Sequence, residues 1–325
     1  MNECAESMPD RYDEMYQAAS RYYIQGETME SIAHQLKLSR SSVSRLLKVA
    51  REIGLVRISL ADWVGSHSPL AATLGDAFNI RVHMVAVRDT NNENLRFEQV
   101  AKLAGQLLTE AVGDHQLIGV AWGVTVARVV RHVARRPLVG SVVLQINGGA
   151  NAHSFGIPYI GEILQTLGDA FDSQVIHFPV PAFFDYAATR EAMWRERSVQ
   201  HVLGLRDRLD LAVFGVGSFY ATVASHVYSA GYLSASEIDA LAADGVVGDV
   251  CTVLLREDGS FSDVACNERS TGLTPQELRR VPRRLCVVAD PARAAAILGA
   301  LRAGVVTDLI CDESTARAVA DRAGL

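Results

Sequence analysis

Along residues 28–57 apolar and polar positions recur with a helical period twice, on either side of a short break. Ile32, Ala33 and Leu36 form one apolar stripe behind Thr28, a side chain suited to cap a helix start. Lys37 and Leu38 make a tight connection, Ser39 offers a second cap, and Val43, Leu46, Leu47 and Ala50 form a second stripe. Gly54 fits the left-handed stop just past it. The spacing predicts a helix-turn-helix. Upstream, Met15, Ala18, Ala19, Tyr22 and Tyr23 predict a further helix over 13–24, ended by Gly26. Downstream, LVRISL (55–60) alternates in the manner of a strand, a candidate wing. The stretch 61–69, ADWVGSHSP, loses the pattern and reads as a linker. The expected organisation is a winged-helix-like domain over 1–60, the linker over 61–69, and a larger domain over 70–325.

Past the linker the period changes. Short apolar runs appear at 81–87, 116–122, 141–146, 174–178, 210–216, 249–255, 284–290 and 308–311, bounded by Gly, Asp or Pro. Helical stretches such as 95–112, 125–133, 291–301 and 313–323 lie between most of them. Continuously apolar strands alternating with helices predict an α/β fold, a mostly parallel sheet covered on both faces.

Charge changes the picture in the first part only. The chain carries a net charge of -6, yet residues 1–60 balance eight basic against eight acidic side chains. From 37 to 57 there are six basic residues against Glu52 alone. Away from its apolar stripe the second helix presents Arg40, Ser41, Ser42, Ser44, Arg45, Lys48 and Arg51. Short hydroxyls at a helix start allow close approach to bases and phosphates, and Arg pairs bidentately with guanine. Double-stranded DNA is the expected partner, with Ser39, Arg40, Ser41, Ser42, Ser44, Arg45 and Lys48 as the candidate residues. A solvated basic helix would look similar alone; its coincidence with two capped helices favours DNA.

The five cysteines are widely spaced with no CxxC pair, which fits a reducing cytoplasm and neither a disulfide frame nor a metal site. No apolar run approaches the length of a membrane span. Neither GxGxxG nor GxxxxGK[ST] is present, so no nucleotide cofactor is expected.

In open α/β sheets ligands bind beyond the carboxyl ends of strands, which directs attention to the loops there. Trp122-Gly123-Val124-Thr125 leaves a strand and opens a helix. Gln145-Ile146-Asn147-Gly148-Gly149 ends another strand with an amide and two glycines, and Phe214-Gly215-Val216-Gly217 does so with glycines alone. Gly245-Val246-Val247-Gly248-Asp249 places a carboxylate just before an expected strand, where it could hold sugar hydroxyls. Each loop alone is as readily a turn; several on one sheet edge point to a site. His153 and His177 read as isolated core or surface histidines.

With these pieces together the chain resembles the SorC-type, or DeoR-like, sugar-responsive regulators of bacterial transcription. The motifs are the helix-turn-helix stretch 22–60, GVAWGVT (119–125), VLQINGG (143–149), DLAVFGVG (210–217), GVVGDV (245–250), NERSTG (267–272) and LICDESTA (309–316). The resemblance implies a Rossmann-like effector domain related to phosphosugar isomerases, with a phosphorylated sugar or polyol as the expected effector. It also implies dimers or tetramers on paired operator sites, and it assigns Gly123, Thr125, Asn147, Gly148, Gly215, Gly217 and Asp249 to the effector loops. Where the family has Gly-Gly before a helix bearing Lys, this chain has Ala289-Asp290-Pro291 and Arg293. Arg293 could meet a phosphate, while Asp290 beside it repels one. The rival function is a phosphosugar isomerase with a fused DNA-binding head, for which Asp249, Asp312 and Glu313 could supply carboxylates but no histidine lies in the quoted loops.

Overall fold

The structure is a computed structural model and describes residues 8–56, 68–85, 93–150, 157–222 and 225–325. The chain divides into two compact units, Met1–Ser66 and His67–Leu325.

In the first unit three helices, α1 (Met8–Tyr23), α2 (Met29–Leu36) and α3 (Arg40–Glu52), enclose one small core. Met15, Ala18 and Ala19 of α1 meet Ile32 and Ala33 of α2 and Val43, Leu47 and Ala50 of α3. Thr28 Oγ1 accepts the Ser31 amide at 3.2 Å, and Ser39 Oγ accepts the Ser42 amide at 3.0 Å, so both helices start on side-chain caps. Lys37, left-handed at φ 55°, ends α2 and leaves only Leu38 before the next cap. Of the expected wing, Leu55 and Val56 form a bend, and 57–60 lie outside the described residues, as does linker 61–67. Pro69 opens the next helix, α4 (Pro69–Phe78), so it belongs to the second unit's helices and not to a linker.

The second unit holds strands β1 (Arg81–Val85), β2 (Leu117–Val120), β3 (Val142–Gln145), β4 (Gln174–Ile176), β5 (Leu211–Phe214), β6 (Val216–Ser218), β7 (Val246–Val250), β8 (Val253–Arg256), β9 (Arg283–Val287) and β10 (Asp308–Asp312). Seven of them form one parallel sheet in the order β1-β10-β9-β5-β2-β3-β4. Its central strands β2 and β5 are apolar throughout because both faces are buried. Leu211 and Val213 enter one core while Ala212 and Phe214 enter the other, and Leu285 and Cys286 divide in the same way. Helices α5 (Glu93–Ala111), α6 (Val124–Val130) and α7 (Ile157–Phe171) follow β1, β2 and β3.

Two expected runs are each split. The run 210–216 breaks at Gly215 into β5 of the large sheet and β6 of a three-stranded antiparallel sheet, β6-β7-β8. The run 249–255 is a hairpin, and its turn residues Cys251 and Thr252 have φ of 51° and 68°. Both lie in the left-handed region that a two-residue hairpin turn demands. Asp249 therefore sits inside β7 and not in a loop before a strand.

Candidate functional site

On the first unit, the side of α3 away from the core exposes Arg40, Ser41, Ser44, Arg45 and Lys48, with Ser42 half-buried at its start. Several of the candidate DNA-contacting residues already have internal partners. Ser39 spends its oxygen on the α3 cap and lies 2.8 Å from both Ser41 and Ser42 hydroxyls. Arg40 pairs with Glu30 at 3.0 Å, an exposed contact of little energetic weight that DNA could displace.

On the second unit, strand order reverses between β5 and β2: the chain runs outward from β2 through β3 and β4, then resumes at β5 on the other side. Such a reversal opens a crevice at the strands' carboxyl ends. A cleft of about 550 Å³ lies there. Gly123, Thr125, Asn147, Gly215, Gly217, Asp249 and Arg293 line it together with Trp122, Ser225, His226, Cys251 and Thr252. Gly148 is not among the lining residues: a Cβ there would overlap the Pro181 carbonyl oxygen, so its contribution is close packing behind the wall.

Two polar side chains of the cleft are almost fully buried acceptors. Asn147 is 1% exposed, and its Oδ1 has no hydrogen-bond partner among the described residues. A buried acceptor left unpaired costs free energy that a ligand hydroxyl would recover. Asp249 is buried with Oδ1 accepting the Tyr228 hydroxyl at 2.8 Å and Oδ2 the Thr252 amide at 3.0 Å. Its carboxylate rests on Gly217, where any Cβ would overlap Oδ1, which is why that register position must be glycine. Burial pushes the Asp249 pKa up, while the Tyr228 and Thr252 hydrogen bonds and the Arg293 charge oppose that rise. Burial also lowers the His226 pKa, favouring a neutral imidazole.

Arg293 enters from the segment after β9. Its Nη1 donates to the Val216 carbonyl at 2.6 Å and the Ser225 hydroxyl at 3.1 Å, and its Nε lies 3.4 Å from Asp290 Oδ2. Arg293 and Thr125 also line a second, outer cavity of about 730 Å³ with Glu93, Asn94, Arg96, Phe97, Thr222 and Asp290. The wall behind the cleft is braced by side chains. Gln145 links the Asn147 carbonyl (2.8 Å) to the Phe178 amide (3.1 Å). The Trp122 indole donates to the Gly148 carbonyl at 2.8 Å and stacks on Tyr232. The 267–272 segment belongs to this bracing: Ser270 donates to the Thr252 carbonyl, and Thr271 Oγ1 accepts the Gly148 amide.

The pattern missed Ser225, His226, Cys251 and Thr252. The first two open a four-residue helix with no apolar period, and the last two form a turn without the usual Asn-Gly signal. Asp312 and Glu313 are not among the lining residues. Asp312 caps the helix Glu313–Ala323 by accepting the Thr315 amide and hydroxyl, and Glu313 pairs with Arg317 on its surface. His177 borders a separate apolar pocket with Phe178 and Ile160, and His153 lies outside the described residues. Among the described residues no group of three or more His, Cys, Asp or Glu side chains could hold a metal ion.

A basic helix-turn-helix unit and a cleft with buried polar side chains at a sheet switch point define the class of ligand-responsive transcription regulators. The family model for a sugar-binding domain matches residues 64–320. The chain belongs to this family, the SorC/DeoR-like sugar-binding regulators of bacterial transcription. It is 28% identical over 303 residues to the deoxyribonucleoside regulator of Bacillus subtilis (strain 168), covering 93% of this chain and 96% of that one. It is 23% identical to the sorbitol operon regulator of Klebsiella pneumoniae, covering 92% and 94% respectively. Among solved structures, a domain described as a possible sugar-binding transcriptional regulator from Arthrobacter aurescens TC1 is 44% identical, with TM-score 0.73 over 80% of this chain and 99% of that one. Full-length SorC from Klebsiella pneumoniae shares the fold with TM-score 0.78 over 97% of this chain and 99% of that one, at 22% identity.

Proposed function

We infer that the chain is a DNA-binding regulator of a carbohydrate or polyol utilisation operon, switched by a small sugar or polyol held in the cleft at the β5–β2 crevice. The buried and unpaired Asn147 Oδ1 in the cleft lining carries this reading, because such an acceptor asks for a hydroxyl donor. Relatives named for a sorbitol operon, erythritol catabolism and deoxyribonucleosides support the same ligand chemistry. Ser41, Ser42, Ser44, Arg45 and Lys48 read operator DNA, with Ser39 and Arg40 shaping the start of the reading helix. Paired half-sites then require a dimer or tetramer. Ligand and DNA communicate as a coupling free energy: the ligand favours one arrangement of the oligomer, and that arrangement meets DNA better or worse. No helix among the described residues is long and apolar enough to cross a membrane, in keeping with a protein that works on DNA in the cytoplasm.

Binding, not turnover, suits the cleft. Isomerisation needs a carboxylate base open to a substrate proton, and both Asp249 oxygens already accept hydrogen bonds within the protein. The deciding experiment titrates the protein onto DNA from upstream of its own operon, with and without sugars and polyols. A salt-sensitive complex altered by one compound, and weakened about 5- to 150-fold by Arg45→Ala, is the expected outcome. An absence of specific DNA binding, combined with turnover of a sugar phosphate, would replace the regulator by the isomerase.

A further inference from the structure

The segment after β9 assembles donors around one point. Asp290 Oδ1 accepts the Ala292 amide at 3.0 Å and the Thr222 hydroxyl at 3.2 Å, and Oδ2 accepts the Thr222 amide at 2.9 Å. Arg293 adds its guanidinium to Oδ2. Two backbone amides, a hydroxyl and a guanidinium are the donor set with which proteins hold a phosphate group. Here they converge on a carboxylate of the chain itself.

The position matters as much as the donors. Asp290 and Arg293 both line the outer cavity, and Arg293 and Thr125 are shared with the inner cleft, so a ligand reaching outward from the cleft meets this cluster. Among the described residues, the acidic ones lining the two cavities are Asp249, Glu93 and Asp290, and the basic ones are Arg96 and Arg293. Arg293 is committed to Val216, Ser225 and Asp290. A phosphate dianion would enter a lining that already carries more acid than base, and it would displace a carboxylate from four donors. An uncharged ligand bears neither cost, and a hydroxyl of it satisfies Asn147 Oδ1.

We propose that Asp290 fills the anion position of the site with the chain's own carboxylate, so that the cleft admits an uncharged sugar or polyol and rejects its phosphate ester. The ligand class rests on the carbohydrate reading given above; the role of Asp290 does not.

The test uses full-length protein and calorimetric titration with matched pairs: a tetritol, a pentitol, a hexitol and 2-deoxyribose, each beside its terminal phosphate ester, plus inorganic phosphate alone. The wild type binds one uncharged member at least about tenfold more tightly than its ester and shows no saturable response to inorganic phosphate. D290G frees the four donors and gains affinity for inorganic phosphate and the esters by about tenfold or more, a gain that adding R293Q removes. D290N, which keeps the side-chain shape and loses the charge, gains less; its melting temperature, with that of D290G, checks that both variants fold. A wild type that prefers a phosphate ester overturns the proposal, as do folded Asp290 variants that gain nothing. A wild type that ignores every carbohydrate while D290G takes up inorganic phosphate upholds the Asp290 assignment and sinks the carbohydrate reading instead.

Discussion

The two units of this chain place their functional side chains in opposite ways. The helical unit sets a basic face outward on α3, within one element and over a core of eight small or medium side chains. The larger unit buries its polar residues at the meeting of loops drawn from residues 121 to 293, where Asp249 and Arg293 are fixed by partners distant in sequence. A surface that reads a long charged polymer needs exposed, mobile cations over a rigid support. A pocket that tells one small ligand from another needs desolvated groups whose pairing is nearly complete. Stability and recognition are therefore separate in the first unit and interlocked in the second.

The largest expected effect tests that separation. Leu47 is 2% exposed at the centre of the small core, and Leu47→Ala should cost about 3 kcal/mol in transfer and cavity terms. Amide exchange should speed throughout α2 and α3 and remain unchanged in β9 and β10. Loss of protection in both units together would show that they fold as one.

A change of comparable size belongs to the larger unit. Asp308, fully buried in β10, takes a two-point contact from Arg81 (2.9 and 3.0 Å), a bond from His83 (3.1 Å) and one from Thr307 (2.8 Å). It thereby ties β1 to β10. Burial alone would raise its pKa, but the hydrogen bonds from His83, Arg81 and Thr307 outweigh burial and hold it well below the ordinary carboxylate range. A depressed folded pKa means stability that is present above the ordinary value, near 4, and lost as pH falls below it. Asp308→Asn should thus lower stability by roughly 2–3 kcal/mol at pH 7. The gap between the variant's and the wild type's melting temperatures should narrow steadily between about pH 4 and pH 2. A gap independent of pH would assign the loss to packing and not to charge.

The same contrast explains what could be read from sequence. Thr28, Ser39 and the stripes of α2 and α3 act on neighbours three or four residues away, so periodicity and capping chemistry exposed them. The parallel sheet was equally legible, because strands buried on both faces read as short, nearly continuous apolar runs. The cleft was legible only in its glycine-bearing loops. Tyr228 meets Asp249 across 21 residues, and Thr222 meets Asp290 across 68. No local spacing announces such a pair. Asp290 could be read as a charge hostile to phosphate; that it occupies a set of anion donors appeared only once Thr222 and Ala292 were placed around it. The hairpin turn at Cys251–Thr252 was missed because two ordinary side chains hold left-handed backbone there, braced by the Ser270 hydroxyl on the Thr252 carbonyl.

The smallest expected effect sharpens the boundary between support and recognition within the first unit itself. Ser39 was expected both as the cap of α3 and at the DNA surface; its oxygen accepts the Ser42 amide at 3.0 Å and so completes the first turn of α3. If capping is its role, Ser39→Ala should cost about 1 kcal/mol of that unit's stability, and Ser39→Gly only a few tenths, because glycine at a helix cap leaves the amides open to water. A direct contact with DNA predicts a different order, since both substitutions delete the hydroxyl and would weaken operator binding alike. Measuring stability and operator affinity for the two variants side by side separates these roles. A graded loss of stability, with operator affinity following it, places Ser39 beneath the reading helix; an equal loss of affinity without loss of stability moves it onto the DNA.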